Sequence, residues 1–385
     1  MTRSGPFDLS RWQWLAAVST IVAGTIVLAE RDLDAQSGAA PYAVLLPATA
    51  LAFPNSTDSN SPAVWELGDG AWTLSLFNSF NGHPEVSRGA SLPRLTRAER
   101  PAFAGAAPEG GYWFESVIRD ADSWYAFYHQ ERPGVVCVES GKMWVRIGLA
   151  RSGDRGATWT DLGPVLETPA STTRCDTRDI FFVGGVGDFS VMLDPDRQYA
   201  YLYYPQYVEA DGLTGVSAAR MAWADRDDPV GRVDVWADGA WIPPREVFDE
   251  GDPDEPDAPA APIGWDHPLA TPLLPSANRF DDARPGVELY WGPSLHWNTS
   301  IDSYVMLLNK AVNEAWDQGG VYVSFNTRLD RPDGWSAPTL LVRGGQWYPQ
   351  VIGLDPTLGT DSLAGGVARF FMAGKSSHLV VFGRR

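Results

Sequence analysis

Cysteine and histidine are scarce: among 385 residues the thiols are Cys137 and Cys175, and there are five histidines. Two thiols cannot build a zinc site, and no histidine pair lies beside them at ligand spacing. Positive charge is short as well. Thirty Lys and Arg stand against 48 Asp and Glu, for a formal net charge of −18. That balance excludes nucleic acid as a partner, because phosphate binding needs a basic face. A neutral ligand tolerates such a surface. Amphipathic helical periodicity is missing beyond the N-terminal region, and no apolar run outside residues 12–29 could span a membrane.

The run at 12–29 follows Arg3 and Arg11 and precedes Glu30, Arg31 and Asp32. Residues 1–35 therefore read as a secretory signal, cleaved after Ala29 or Ala35, with an uncleaved membrane anchor as the alternative. The expected location is secreted, periplasmic or at the cell surface. In an exported chain an even cysteine count predicts a Cys137–Cys175 disulfide.

What is abundant is tryptophan and glycine, 17 and 38 residues. Trp-rich strands with Gly-rich turns fit stacked sheets, and Trp faces also suit sugar rings. A unit recurs five times. Its openings are DSNSPAVW at 58–65, YWFESVI at 112–118, VGDFSVML at 186–193, YWGPSLHW at 290–297 and QWYPQVIG at 346–353. Each is followed by an alternating aromatic strand such as SWYAFYHQE or YAYLYYPQY. Period-two alternation argues strands. Radially arranged sheets are the closed form for such repeats, which predicts an all-β, five-bladed β-propeller over residues 45–385. The first-unit strands near the N-terminus and HLVVFGR at 378–384 are expected to complete one shared blade. Residues 249–276, opening on DEGDPDEPDAPAAP, read as a disordered acidic and Pro-rich insertion without calcium-loop spacing.

SGDRGATW at 152–159 matches the S-x-D-x-G-x-x-W pattern of the Asp box and resembles that turn in sialidases. Its logic is structural, because Asp154 can accept backbone N–H groups and Gly156 permits a positive φ. The arginine set that holds a sialidase substrate's carboxylate is not recognisable. The blade openings resemble those of five-bladed propeller glycosidases, such as glycoside hydrolase families 43, 32 and 62. That resemblance implies one acid from each of the first three blades at the axis: Asp58, Glu115 and Asp188. Their order, Asp-Glu-Asp, departs from the family's usual Asp-Asp-Glu.

Glycoside cleavage needs one protonated carboxyl and one carboxylate. By position Asp58 is the expected base, Asp188 the acid, and Glu115 an acid or pKa modulator, the last two being exchangeable. Asn60, Trp113, His129, Glu131, Trp291 and His296 are the expected substrate-binding residues, with His296 near the pocket floor. The sequence specifies no cofactor, and a structural calcium or another axial ion is the one the resemblance leaves open. The expected partner is carbohydrate, with membrane contact only through the N-terminal segment. A non-catalytic glycan- or protein-binding propeller and a sialidase-like enzyme are the competing readings.

Overall fold

The computed structural model describes residues 39–208, 213–248, 262–275, 289–313 and 315–385. The expected signal at 1–35, and residues 249–261 and 276 of the acidic stretch, lie outside them. Among the described residues no helix is long and apolar enough to cross a membrane. Strands dominate, and the helical elements among the described residues are four three-residue 3-10 turns. Several hairpins turn on residue pairs that both hold positive φ: Asp69-Gly70, Asn81-Gly82 and Asp238-Gly239. Asn-Gly and Asp-Gly suit this mirror-image turn, whose twist matches that of the flanking strands.

The strands group into five blades. The first holds Ala63–Gly68, Ala71–Phe80 and His83–Gly89. The second holds Gly111–Asp120, Ser123–Pro133, Met143–Ser152 and Thr158–Leu166. In the third, the inner strand is split into Phe182–Val186 and Ser190–Leu193, both paired with Tyr199–Tyr207; Gly215–Ala222 and Val233–Ala237 follow outward. The fourth runs Leu289–Asn298, Ser303–Ala311, Gln318–Asn326 and Thr339–Arg343. The fifth runs Pro349–Gly353, Val367–Met372 and Lys375–Arg384, and its outermost strand is Pro41–Ala52 from the start of the described chain. The fifth blade is thus shared with the start of the described chain, but through Pro41–Ala52, with Pro41 opposite Arg384. It is not shared with the first-unit strands as expected, which pair with each other and with His83–Gly89 in a blade of their own.

Packing closes the ring. Successive strand residues face opposite sides, so each inner strand feeds two interfaces. Val64 packs with Phe77, Phe114 and Trp124 between blades one and two. Its neighbour Trp65 packs with Ile352 and Phe371 between blades one and five. Three further apolar clusters fill the remaining interfaces. Phe127, Val191 and Leu202 lie between blades two and three. Met192, Leu295 and Met306 lie between three and four, and Val305, Val351 and Phe370 between four and five. Five interfaces joining five blades make a closed propeller.

The turn at 152–159 shows how local chemistry feeds this packing. Asp154 Oδ1 accepts the Ser152 hydroxyl at 2.8 Å and the N–H groups of Ala157 and Thr158 at 3.1 and 2.7 Å. Gly156 takes φ 76°. Trp159 Nε1 donates to Gly156 O at 3.2 Å, and the indole is fully buried between the first two blades.

Two expectations fare differently. Cys137 and Cys175 form the disulfide, with Cα atoms 5.4 Å apart, inside the usual window. Reduction is expected to cost about 4 kcal/mol on the chain-entropy account. Urea midpoints with and without reductant measure this, and coincident midpoints would contradict it. The disordered insertion at 249–276, in contrast, needs correction. Pro262–Asp266 pairs with Arg245–Phe248, and Leu274 and Pro275 pair with Val216 and Gly215. The physical reason is local packing beyond the acidic run. Trp265 lies so close to Gly231 that a Cβ there would come within 2.0 Å of the indole. Gln206 clasps Ala270, accepting its N–H at 2.9 Å and donating to its carbonyl at 3.2 Å.

Candidate active site

Three inner strands are interrupted by bulges. In the second blade Glu115 is an extra residue between the pairs Phe114–Tyr128 and Ser116–Phe127. In the third, the pairs Val186–Gln206 and Ser190–Tyr203 bracket three residues on the inner strand and two on its partner. In the fourth, Gly292 and Pro293 oppose Leu308 alone. A bulge re-aims the residue it holds. Asp188 sits in the second of these with φ 48°. Its one-residue offset from Glu115 in the sequence is absorbed there.

Asn60 ties the bulges together. Its N–H donates to Glu115 Oε2 at 2.9 Å, and its amide nitrogen to Phe189 O at 2.9 Å and Pro293 O at 3.1 Å. Ser61 exchanges two hydrogen bonds with Gln350 of the fifth blade, at 2.7 and 3.0 Å. Asn60 and Ser61 of the first blade thus bond to each of the other four. Asn60 is thus an internal hub whose Nδ2 donors are spent on backbone carbonyls, while its Oδ1 holds no hydrogen-bond partner.

Around this hub lie the acids. Glu115, His129 and Asp188 bring one ligand-type atom each within 4.8 Å of one another. Glu115 and Asp188 are 1% and 3% exposed. Asp188 accepts hydrogen bonds from two phenols, Tyr207 to Oδ2 and Tyr348 to Oδ1, each at 3.0 Å. Its N–H donates to His129 Nδ1 at 3.0 Å. In the neutral ring the proton is then on Nε2, which faces Glu131 Oε1 at 3.6 Å.

Burial pushes the Glu115 carboxyl well above the usual range, and the charges of Asp188 and Asp58 add to it. Asp58 is raised by burial and then by Asp188, against an opposing pull from His129. It therefore belongs to the same electrostatic cluster. Burial also lifts Glu131, to about 7, with Asp188 and Asp58 contributing. For His129, burial works to lower the imidazole, yet the carboxylates of Asp188, Glu131 and Asp58 raise it.

Aromatic rings wall the cluster. Trp113 lies 5.4 Å from the His129 ring. Trp291, 2% exposed, is 5.0, 5.6 and 5.7 Å from Trp316, Trp347 and Tyr348. His296 needs correction. It does not sit on a floor beneath the acids but packs against Phe382 at 5.2 Å, between the fourth and fifth blades. It is fully buried, and desolvation lowers it to about 3. Strand alternation past the fourth bulge directs Leu295 one way and His296 the other.

Tyr207 and Tyr348 escaped the sequence reading. Tyr348 stands in the fifth blade's opening, where an acid was the group sought, and Tyr207 ends the strand YAYLYYPQY. The donor set does not fit a calcium, which takes six to eight oxygens. Both Asp188 oxygens and His129 Nδ1 already hold hydrogen bonds, so no chemical step is derived through an ion.

No family model matches the chain, and no curated protein matches it. Among solved structures, an endo-arabinase from Bacteroides thetaiotaomicron VPI-5482 is similar at 11% identity and TM-score 0.47, over 87% of this chain and 97% of that one. A thermostable family-43 glycoside hydrolase is similar at 12% identity and TM-score 0.46, over 87% of this chain and 92% of that one. An arabinanase from Bacillus subtilis is similar at 12% identity and TM-score 0.40, over 86% of this chain and 97% of that one.

Proposed function

We propose that this chain is an exported glycoside hydrolase that cleaves a bond in a neutral glycan with Asp58, Glu115 and Asp188. The observation that carries the reading is the approach of Glu115 and Asp188, whose carboxylate oxygens come within 4.8 Å. Acid and base that straddle a bond and a water stand about 6.5–9.5 Å apart. The closer pair therefore acts as one unit that holds a proton. Glu115 is the donor, because its Oε1 has no hydrogen-bond partner and burial favours its neutral form. Asp188, held by two tyrosines, adds to the burial that keeps Glu115 protonated. Asp58 is the base that activates water. The charged groups that shift these acids are carboxylates and His129, with no guanidinium among them, which favours an uncharged substrate. The Cys137–Cys175 bond supports an oxidising compartment.

The pH dependence follows from the two directions. Asp58 must be ionised, and its carboxyl is raised, so the rate falls on the acid side above the ordinary carboxylate range. Glu115 must keep its proton, and its larger rise carries the active form toward neutrality before the alkaline fall. Hydrolysis of aryl glycosides between about pH 4 and 9 should trace a bell. A flat profile rejects the acid–base assignment.

One observation favours a second reading, a non-catalytic binding propeller. Glu115 and Asp188 are almost wholly buried, as structural acids bonded to backbone and phenols would be. Saturable glycan binding without release of reducing ends would support it.

A further inference from the structure

The inner strands leave a mouth at their ends away from the acids. Inner strands run from the acids toward it, and Glu115 and Ile118 are three residues apart, about 10 Å along the strand. A cavity of about 380 Å³ opens there, lined among others by Trp65, Trp72, Ile118, Arg119, Leu358 and Asp361. That lies within the range of small-molecule sites, about 300–1,000 Å³.

Its lining is chemically mixed. Trp72 and Leu358 are 38% and 60% exposed, leaving apolar surface at the rim. Asp361 Oδ1 accepts the Ala63 N–H at 2.7 Å, while Oδ2 has no hydrogen-bond partner in another described residue. Burial raises this carboxyl to about 7, so near neutrality it can donate as well as accept. Arg119 is fixed by a hydrogen bond to Trp65 O at 3.2 Å. Arg197 is braced by Asp120 Oδ1 at 2.9 Å. The hydroxyls of Thr360 and Ser362 lie 3.1 Å apart on the cavity wall.

A ligand for this mouth needs one apolar face and a rim of groups that both donate and accept. A purely apolar ligand would strand Asp361 and the arginines. An anion would meet Asp361, and a cation would meet two guanidinium groups. A sugar ring satisfies every requirement: its C–H face lies on the indole, and its hydroxyls reach carboxyl and guanidinium. We propose that this mouth binds a neutral sugar residue of an oligosaccharide, at the end of the inner strands away from Glu115 and Asp188. The site is independent of whether those acids catalyse.

The test is a fluorescence titration of the full chain with four probes: cellotriose, galactotriose, xylotriose and arabinotriose. Glu115→Gln is run beside wild type so that turnover cannot consume the probe. At least one probe should bind both proteins saturably. Trp72→Ala should weaken that binding about tenfold, and Trp72→Phe much less. Asp361→Asn should weaken it in the same direction. Trp72 lies at the rim, so its variant keeps the test valid even if Asp361→Asn fails to fold. Absence of binding by all four probes, or binding that Trp72→Ala leaves unchanged, overturns the proposal. A hydrolytic defect in Glu115→Gln with Trp72-dependent binding intact separates this site from the acid cluster.

Discussion

Glutamine at position 115 is expected to lower turnover by about 100-fold or more while leaving the fold intact. The amide keeps the shape of the carboxyl and still accepts the Asn60 N–H, now 2.9 Å from Oε2. What it loses is the transferable proton. Asp58→Asn should give a loss of similar size by removing the base. Asp188→Asn should act differently, because its charge adds to the burial that raises Glu115. Its alkaline limb should move to lower pH as well as its rate falling. Glu131→Gln should have the mildest effect of the four, since Glu131 reaches the cluster through His129 at 3.6 Å. Steady-state kinetics on one aryl glycoside, with folding checked by circular dichroism, measures all four. Wild-type rates in Glu115→Gln and Asp58→Asn would remove the assignment and turn attention to His129 with Glu131.

The largest expected stability effect lies away from the acids. Trp159→Ala should destabilise by about 3–5 kcal/mol, the usual cost of emptying a large buried aromatic site. The indole is fully buried. Its ring is 6.0 Å from Phe77 of the first blade and 4.9 Å from Phe114 of the second. Removing it therefore loosens an interface between blades as well as a turn. Trp159→Phe should recover much of the loss but leave Gly156 O without its donor, now at 3.2 Å. Urea unfolding of the three proteins decides this, and a loss under about 1 kcal/mol in Trp159→Ala would contradict the packing account.

The architecture was legible because its signals are local. Alternating aromatic strands, Asn-Gly and Asp-Gly turns and the recurring openings each report on a few neighbouring residues. That HLVVFGR takes an N-terminal partner was legible, but the partner was not: the first-unit strands pair in their own blade, and Pro41–Ala52 fills the place. The bulges were not, because register belongs to a pair of strands and one sequence shows only one of them. For that reason Asp188 looked one residue out of place, although the third-blade bulge absorbs the offset. The resemblance put His296 near the pocket floor, whereas alternation past the fourth bulge turns it against Phe382. The hub role of Asn60 was not legible because nothing local reveals carbonyl partners 129 and 233 residues away. The stretch at 262–275 was misread because composition at 249–261 was extended over Trp265, whose packing partner Gly231 is distant in sequence.

The central claim is hydrolysis by acids drawn from three blades. It is tested most directly by the release of reducing ends from a panel of neutral polysaccharides, comparing wild type with the triple variant Asp58→Asn, Glu115→Gln, Asp188→Asn. The account predicts release by wild type from at least one polysaccharide and none above background by a folded triple variant. Undiminished release by the triple variant, or no release by wild type from any polysaccharide it binds, would contradict it.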